Sequence, residues 1–222
     1  EVDVLPIPSA SEIDLRKPRI NLPGSLKSLF SDDKLERLNH AYGKSFPDVA
    51  RAMLSSFPNP PDLVAFPNNQ EDIVSIMDWA NDNNTAVIPY GGGSSVCGGV
   101  ETDVGDSFAG VISLDLRNLN KVLEVDKDSR AALIQAGILG PDLEEELKKH
   151  NLTLRHFPQS FEHSTLGGWI ATRSGGHFAT LYTHIDDFVE STTTVTPSGI
   201  LESRRLPGSG AGPSPDRLMI GS

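Results

Sequence analysis

The residues best suited to chemistry lie in two glycine-rich stretches, and the chemistry they suit is the holding of an anion. The first stretch is Pro89-Tyr90-Gly91-Gly92-Gly93-Ser94-Ser95, which follows the β-branched run Thr85 to Pro89. Consecutive glycines reach positive φ without steric penalty, so successive backbone N–H groups can converge on one oxyanion. The adjacent serine hydroxyls can add hydrogen bonds to phosphate oxygens. No Gly-Lys-Ser/Thr ending follows, which argues against a nucleoside-triphosphate loop, and the spacing is not that of a dinucleotide fingerprint. Taken alone, a triple glycine fits a plain tight turn equally well. The second stretch is Gln159-Ser160-Phe161-Glu162-His163-Ser164-Thr165-Leu166-Gly167-Gly168-Trp169. Ser164 or Thr165 is placed to cap a helix beginning near Leu166, leaving first-turn N–H groups free to face an anion. Thr172-Arg173-Ser174-Gly175 comes soon after and offers a cation with more hydroxyls. Local, backbone-made anion sites of this kind would suit a cofactor that carries a pyrophosphate.

Other reactive side chains read more plainly. His177 and His184 stand seven apart and would share a helical face, but no acid or third histidine stands at ligand spacing. No metal is therefore expected, and His177 is kept as the one catalytic candidate, through a place beside a cofactor. Asp186 and Asp187 read as solvated acids, Arg204 and Arg205 as solvent-facing, and Trp169 as core. Cys97 is the single cysteine, which excludes a disulfide or a cysteine-built metal site within one chain. It reads as a small filler in the glycine-rich turn, with a catalytic thiol as the alternative.

The formal charge of −11 over 222 residues excludes a nucleic-acid partner, whose backbone demands a basic footprint. The same charge disfavours an anionic membrane surface. No apolar run has the length of a bilayer span, and no leader pattern opens the chain.

The elements that must carry these loops are legible in part. Residues 1–60 form a proline-rich entry segment with short helices, expected at 32–41 after a Ser31 N-cap and at 47–55 with Pro47 in the first turn. A strand is expected at 63–66. A helix over 69–81 follows, since Ile73, Ile76, Met77 and Ala80 recur at helical spacing. Strands are expected at 85–89, 110–114, 121–125 and 131–135, and a helix at 141–149 with acids first and lysines last. Residues 191–196 and 200–203 read as a hairpin about Pro197-Ser198-Gly199, and 207–215 as a flexible loop. One α/β unit followed by a meander predicts an α+β fold of two subdomains.

The motifs PYGGGSSV, PQSFEHSTLGGWIATRSGG, HIDDFVESTTTVTPSG and DRLMIGS occur in that order. In this the chain resembles FAD-binding domains of the vanillyl-alcohol-oxidase (PCMH-type) superfamily. Within it, the chain most resembles the alkyldihydroxyacetonephosphate synthase (alkylglycerone-phosphate synthase) family and its bacterial relatives. The likeness runs from about residue 60 to 222, so residues 61–222 are expected to be a PCMH-type FAD-binding domain. Carried over, it implies that Pro89 to Ser95 wrap the pyrophosphate of FAD from one side, with Gln159 to Thr165 meeting flavin and pyrophosphate from the other. Relatives often carry aspartate where this chain has Gln159. The resemblance also places Gly167 and Gly168 close to the cofactor, Thr172 to Gly175 at its flavin end, and Val195, Thr196 and Pro197 near adenine. No histidine stands in the first loop, so FAD is expected to bind without a covalent link.

The reaction implied is ether-lipid synthesis, in which flavin N5 serves as nucleophile and a fatty alcohol replaces the acyl chain of acyl-dihydroxyacetone phosphate. The alternative is an FAD-linked oxidoreductase of a 2-hydroxy acid such as D-lactate or glycolate, which shares the framework. In the family a Glu-Gly-Xaa-Leu-Gly element and a substrate-binding cap domain follow, and neither is in this sequence. A C-terminally truncated fragment without activity of its own is therefore expected, whose lipid or small-molecule substrate would be held by the cap. A homodimer is expected. A cytoplasmic site follows for a bacterial source, and a peroxisomal one only with a signal outside the chain.

Overall fold

Leu63, Val64 and Ala65 are an uninterrupted apolar run, and Gly110 to Leu114 is interrupted only by Ser113. Strands of this type are covered on both faces, as in a parallel sheet. A computed structural model describes residues 8–21, 24–182, 184–205 and 215–221 and shows that arrangement. β1 (Phe30–Ser31) lies antiparallel to β2 (Leu63–Ala65); β3 (Thr85–Tyr90) and β2 both run parallel to β4 (Gly110–Asp115). The strand order is β1-β2-β4-β3, so β4 is internal and buried at every position. Val64 stands opposite Ser113, and Val87 opposite Ile112.

The helices of this region begin where capping chemistry allows. α1 (Lys34–Asn39) is capped by Asp33, whose Oδ1 accepts from Leu35 N and Glu36 N at 2.9 and 3.0 Å. The expected Ser31 cap is corrected: Ser31 is taken into β1, and its hydroxyl oxygen accepts from Asp33 N instead. α2 (Phe46–Met53) opens on a reciprocal capping box between Ser45 and Asp48, with Pro47 in its first turn. α3 (Gln70–Asp82) buries Ile76 and Ala80, as their spacing predicts.

The chain divides into two compact units, Glu1–Pro67 with Ser75–Asp115, and Asn68–Val74 with Leu116–Ser222. The second holds the antiparallel pair β5 (Val122–Asp126) and β6 (Ala131–Ile134), followed by α4 (Gly140–Lys148), α5 (Leu166–Ala171) and α6 (Ala179–Tyr182). The hairpin β7 (Thr193–Thr196) and β8 (Gly199–Glu202) comes last. Gly199 sits at φ +128, which the turn after Pro197-Ser198 requires. The core of this unit is Ile138, Leu143, Leu147, Leu166, Trp169 and Ile185. The α+β class is therefore present in both units.

Several side-chain expectations are corrected here. Asp186 is buried, not solvated, and its Oδ2 accepts from Arg173 Nε at 3.0 Å. Arg205 is exposed, as expected, and from there it pairs with Glu190 and with Asp126. His177 and His184 share no helical face, because α6 covers only Ala179–Tyr182. The loop expected at 207–215 falls outside the described residues except at Pro215.

Candidate functional site

The first glycine stretch leaves the carboxy end of β3, where open parallel sheets place their ligands. Pro89 is exposed, Tyr90 is buried, and Gly91, Gly92, Ser94 and Ser95 are half-buried. Tyr90 donates its hydroxyl to Asn39 O at 3.1 Å. A Cβ on Gly93 would lie 1.9 Å from that hydroxyl oxygen, and Gly93 has φ +65, so only glycine fits. Ser95 is held at its backbone: its carbonyl accepts from Lys44 N at 2.7 Å. Its Oγ accepts from Gly99 N at 3.0 Å.

Behind this loop lies a buried pair that sequence reasoning missed. His40 Nε2 is 2.9 Å from Asp115 Oδ2, and both residues are almost fully buried. His40 Nδ1 lies 2.7 Å from Glu36 O, which can only accept, so Nδ1 carries a hydrogen. The imidazole ring lies 4.1 Å from the Tyr90 ring, centroid to centroid. Seventy-five positions separate His40 from Asp115, and nothing local in the sequence announces the pairing.

In the second unit the geometry corrects one expectation. Thr165 does cap α5, accepting from Gly168 N at 3.3 Å. The first-turn N–H groups are nevertheless not free for an anion. Leu166 N donates to Ile138 O at 3.1 Å, and Gly167 N donates to Ala136 O at 2.8 Å. The segment Gln135 to Gly140 runs alongside and uses them, through a bridge between Leu139 and Thr165. Close packing enforces this, since a Cβ on Gly167 would fall 2.7 Å from Ala136 Cβ. Gly168 is exposed.

Ser164 is also occupied. Its hydroxyl donates to Ser160 O at 2.8 Å and accepts from Trp169 Nε1 at 2.7 Å. Phe161 stacks on Trp169 with centroids 6.2 Å apart. Gln159, Glu162 and His163 are exposed along the same turn. Thr172 donates to Gly168 O at 2.9 Å. Arg173, at φ +50, presents an exposed guanidinium steered by buried Asp186. Gly175 forms a bridge with His184, and the exposed His177 donates its backbone N–H to Phe157 O at 3.0 Å. Val195 is half-buried in β7 opposite Ile200. Among the described residues no three His, Cys, Asp or Glu side chains gather to hold a metal.

Ser174 leads to a second titratable group. Its hydroxyl is 3.2 Å from Nε2 of buried His156, whose ring lies 5.1 Å from that of Trp169. Burial, and then the nearby His184, push the His156 pKa below its ordinary value. The unfolded chain therefore takes up this proton first as pH falls. The stability contributed is complete above about pH 6.5 and is lost as pH drops towards the folded value. Thermal midpoints measured from pH 8 to 5 are expected to fall more steeply for the natural chain than for His156→Gln. Equal slopes would show that His156 does not carry this dependence.

Comparison with known proteins identifies the family. The family model described as "FAD binding domain" matches residues 61–203. The alkyldihydroxyacetonephosphate synthase of Dictyostelium discoideum is 43% identical over 201 residues, covering 90% of this chain and 32% of that protein. The one from Trypanosoma brucei brucei is 38% identical, covering 80% of this chain and 30% of that protein. A solved structure of an alkyldihydroxyacetonephosphate synthase superposes with a TM-score of 0.88 at 37% identity, over 97% of this chain and 41% of that one. The chain thus spans about a third of the length of the curated relatives it matches.

Proposed function

The chain belongs to the FAD binding domain family, and from that premise we propose that it holds FAD non-covalently within an enzyme of the alkylglycerone-phosphate synthase type. The observation that carries this reading is the Tyr90 to Ser95 loop at the carboxy end of β3. Gly93 is kept in a glycine-only conformation there, and Ser95 is pinned through its backbone. A backbone-shaped loop of this kind suits a pyrophosphate on a chain whose net charge is −11.

We assign Pro89 to Ser95 to the pyrophosphate. Gln159 to Thr165, Gly167, Gly168 and Thr172 to Gly175 are assigned to the rest of the cofactor, with Val195 towards its adenine. Within the second group the exposed residues Gln159, Glu162, His163 and Arg173 supply side-chain contacts. Ser164 and Thr165 act through shape instead, because their hydroxyls are turned inward. The absence of histidine between Pro89 and Ser95 supports a non-covalent cofactor.

Bound FAD supplies the reactive ring, while the protein supplies position and electrostatics. The likeness to alkyldihydroxyacetonephosphate synthases supports an exchange in the whole protein. A fatty alcohol oxygen takes the place of the acyloxy group on dihydroxyacetone phosphate, a fatty acid leaves, and no net oxidation occurs. In the FAD-loaded whole protein, acyl-dihydroxyacetone phosphate and a fatty alcohol should release fatty acid without oxygen uptake. Anaerobic D-lactate or glycolate should leave the flavin oxidised. Bleaching by either hydroxy acid would replace the exchange with an oxidoreductase reaction.

A further inference from the structure

The segment Asn39 to Lys44 precedes residue 61, where the family match begins. It nevertheless touches the first glycine loop at several points. Tyr90, at the foot of the loop, donates to Asn39 O, and the His40 ring packs on the Tyr90 ring. Lys44 N donates to Ser95 O, and Thr102, beyond the loop, donates its N–H to Ala41 O. Gly43 is buried against the loop so closely that a Cβ would fall 2.1 Å from Ser95 O. That neighbour is backbone, so one of the two segments would have to move. His40 is in turn held by Asp115 at the end of β4 and by Glu36 O.

We propose that Asn39 to Lys44, oriented by the His40–Asp115 pair, is a positioning element that sets the shape of the Gly91 to Ser95 loop for the cofactor. The inference rests on the reading of that loop as an FAD pyrophosphate site. These residues touch the loop and not the reacting atoms, so their effect passes through loop geometry. Ser95 is held by the Lys44 amide, and Gly93, at the middle of the loop, lies so close to the Tyr90 hydroxyl that no Cβ fits between them. Its backbone is thereby set before an anion arrives, which reduces the ordering cost of binding.

The test uses the 222-residue chain with Gly43→Ala and, separately, Tyr90→Phe. Tyr90→Phe removes only the hydroxyl that reaches Asn39 O, so it decides the matter should Gly43→Ala fail to fold. Hydrogen exchange of the free protein is followed by mass spectrometry, and FAD affinity by quenching of flavin fluorescence. Exchange over residues 91–99 should rise about tenfold for Gly43→Ala and severalfold for Tyr90→Phe, with β7 and β8 unchanged. FAD should bind about tenfold more weakly to Gly43→Ala, and severalfold more weakly to Tyr90→Phe. Unchanged exchange over 91–99 in the folded variants would overturn the inference, as would a uniform rise across the unit. If the natural chain binds no FAD yet the loop exchange still rises selectively, the clamp stands and the flavin reading falls.

Discussion

Trp169→Ala is expected to destabilise the second unit by about 3–5 kcal/mol in chemical denaturation, the range for deleting a large buried aromatic. Trp169 is 3% exposed and packs in the cluster of Ile138, Leu143, Leu147, Leu166 and Ile185. Its indole also reaches the second glycine stretch, donating to Ser164 Oγ, which passes a hydrogen bond on to Ser160 O. Loss of the side chain therefore opens a cavity and loosens the turn from Ser160 to Ser164 together. Trp169→Phe separates the two effects. It keeps most of the ring and loses the indole N–H, so about 1–2 kcal/mol is expected. If Trp169→Phe costs as much as Trp169→Ala, the hydrogen bond and not the packing dominates.

Asp62→Ala carries the second large effect, about 3–5 kcal/mol in the first unit, as for removal of one partner from a buried ion pair. The Asp62 side chain is inaccessible to solvent. It accepts from Arg19 N and Nη2 at 2.9 and 2.8 Å and from Val111 N at 2.8 Å. Removing it strands the Val111 amide inside the sheet and the Arg19 guanidinium beside it. Burial by itself would raise the Asp62 pKa, but the hydrogen bonds from Arg19 and Val111 outweigh it and hold the carboxyl below the usual range. A depressed folded pKa contributes stability that is full above about pH 4 and is lost as pH falls through the folded value. Asp62→Asn is accordingly expected to be less stable near neutrality, with a shallower decline between about pH 4 and 2. An acid decline as steep as that of the natural chain would show that Asp62 is not the group responsible.

Periodicity carried the elements well. Ile76 and Ala80 lie buried on the face that their spacing defines, and the strand expected at 110–114 is the internal strand of its sheet. The glycine loop after β3 was legible too, because strand, turn and hydroxyls are contiguous. What stayed hidden depends on partners far along the chain. Nothing in Ser164 to Gly168 reveals that Ile138 O and Ala136 O accept the first N–H groups of α5, since that pairing exists only once Gln135 to Gly140 is folded beside it. Asp186 read as a surface acid because its partner Arg173 reaches it through a left-handed backbone turn that the sequence does not flag. His40 and Asp115 meet only because α1 packs on the sheet. Gly43 likewise carries no local signal in the sequence, and only its close approach to Ser95 shows why no side chain fits there.

The most direct test of the account is to mix the purified chain with FAD, remove free flavin by gel filtration, and record the visible spectrum before and after acid precipitation. A protein-bound flavin band at about 450 nm is expected, passing into the supernatant on acidification. A folded chain that emerges colourless would contradict the assignment of the Tyr90 to Ser95 loop to FAD, and a band that stays with the pellet would contradict non-covalent binding.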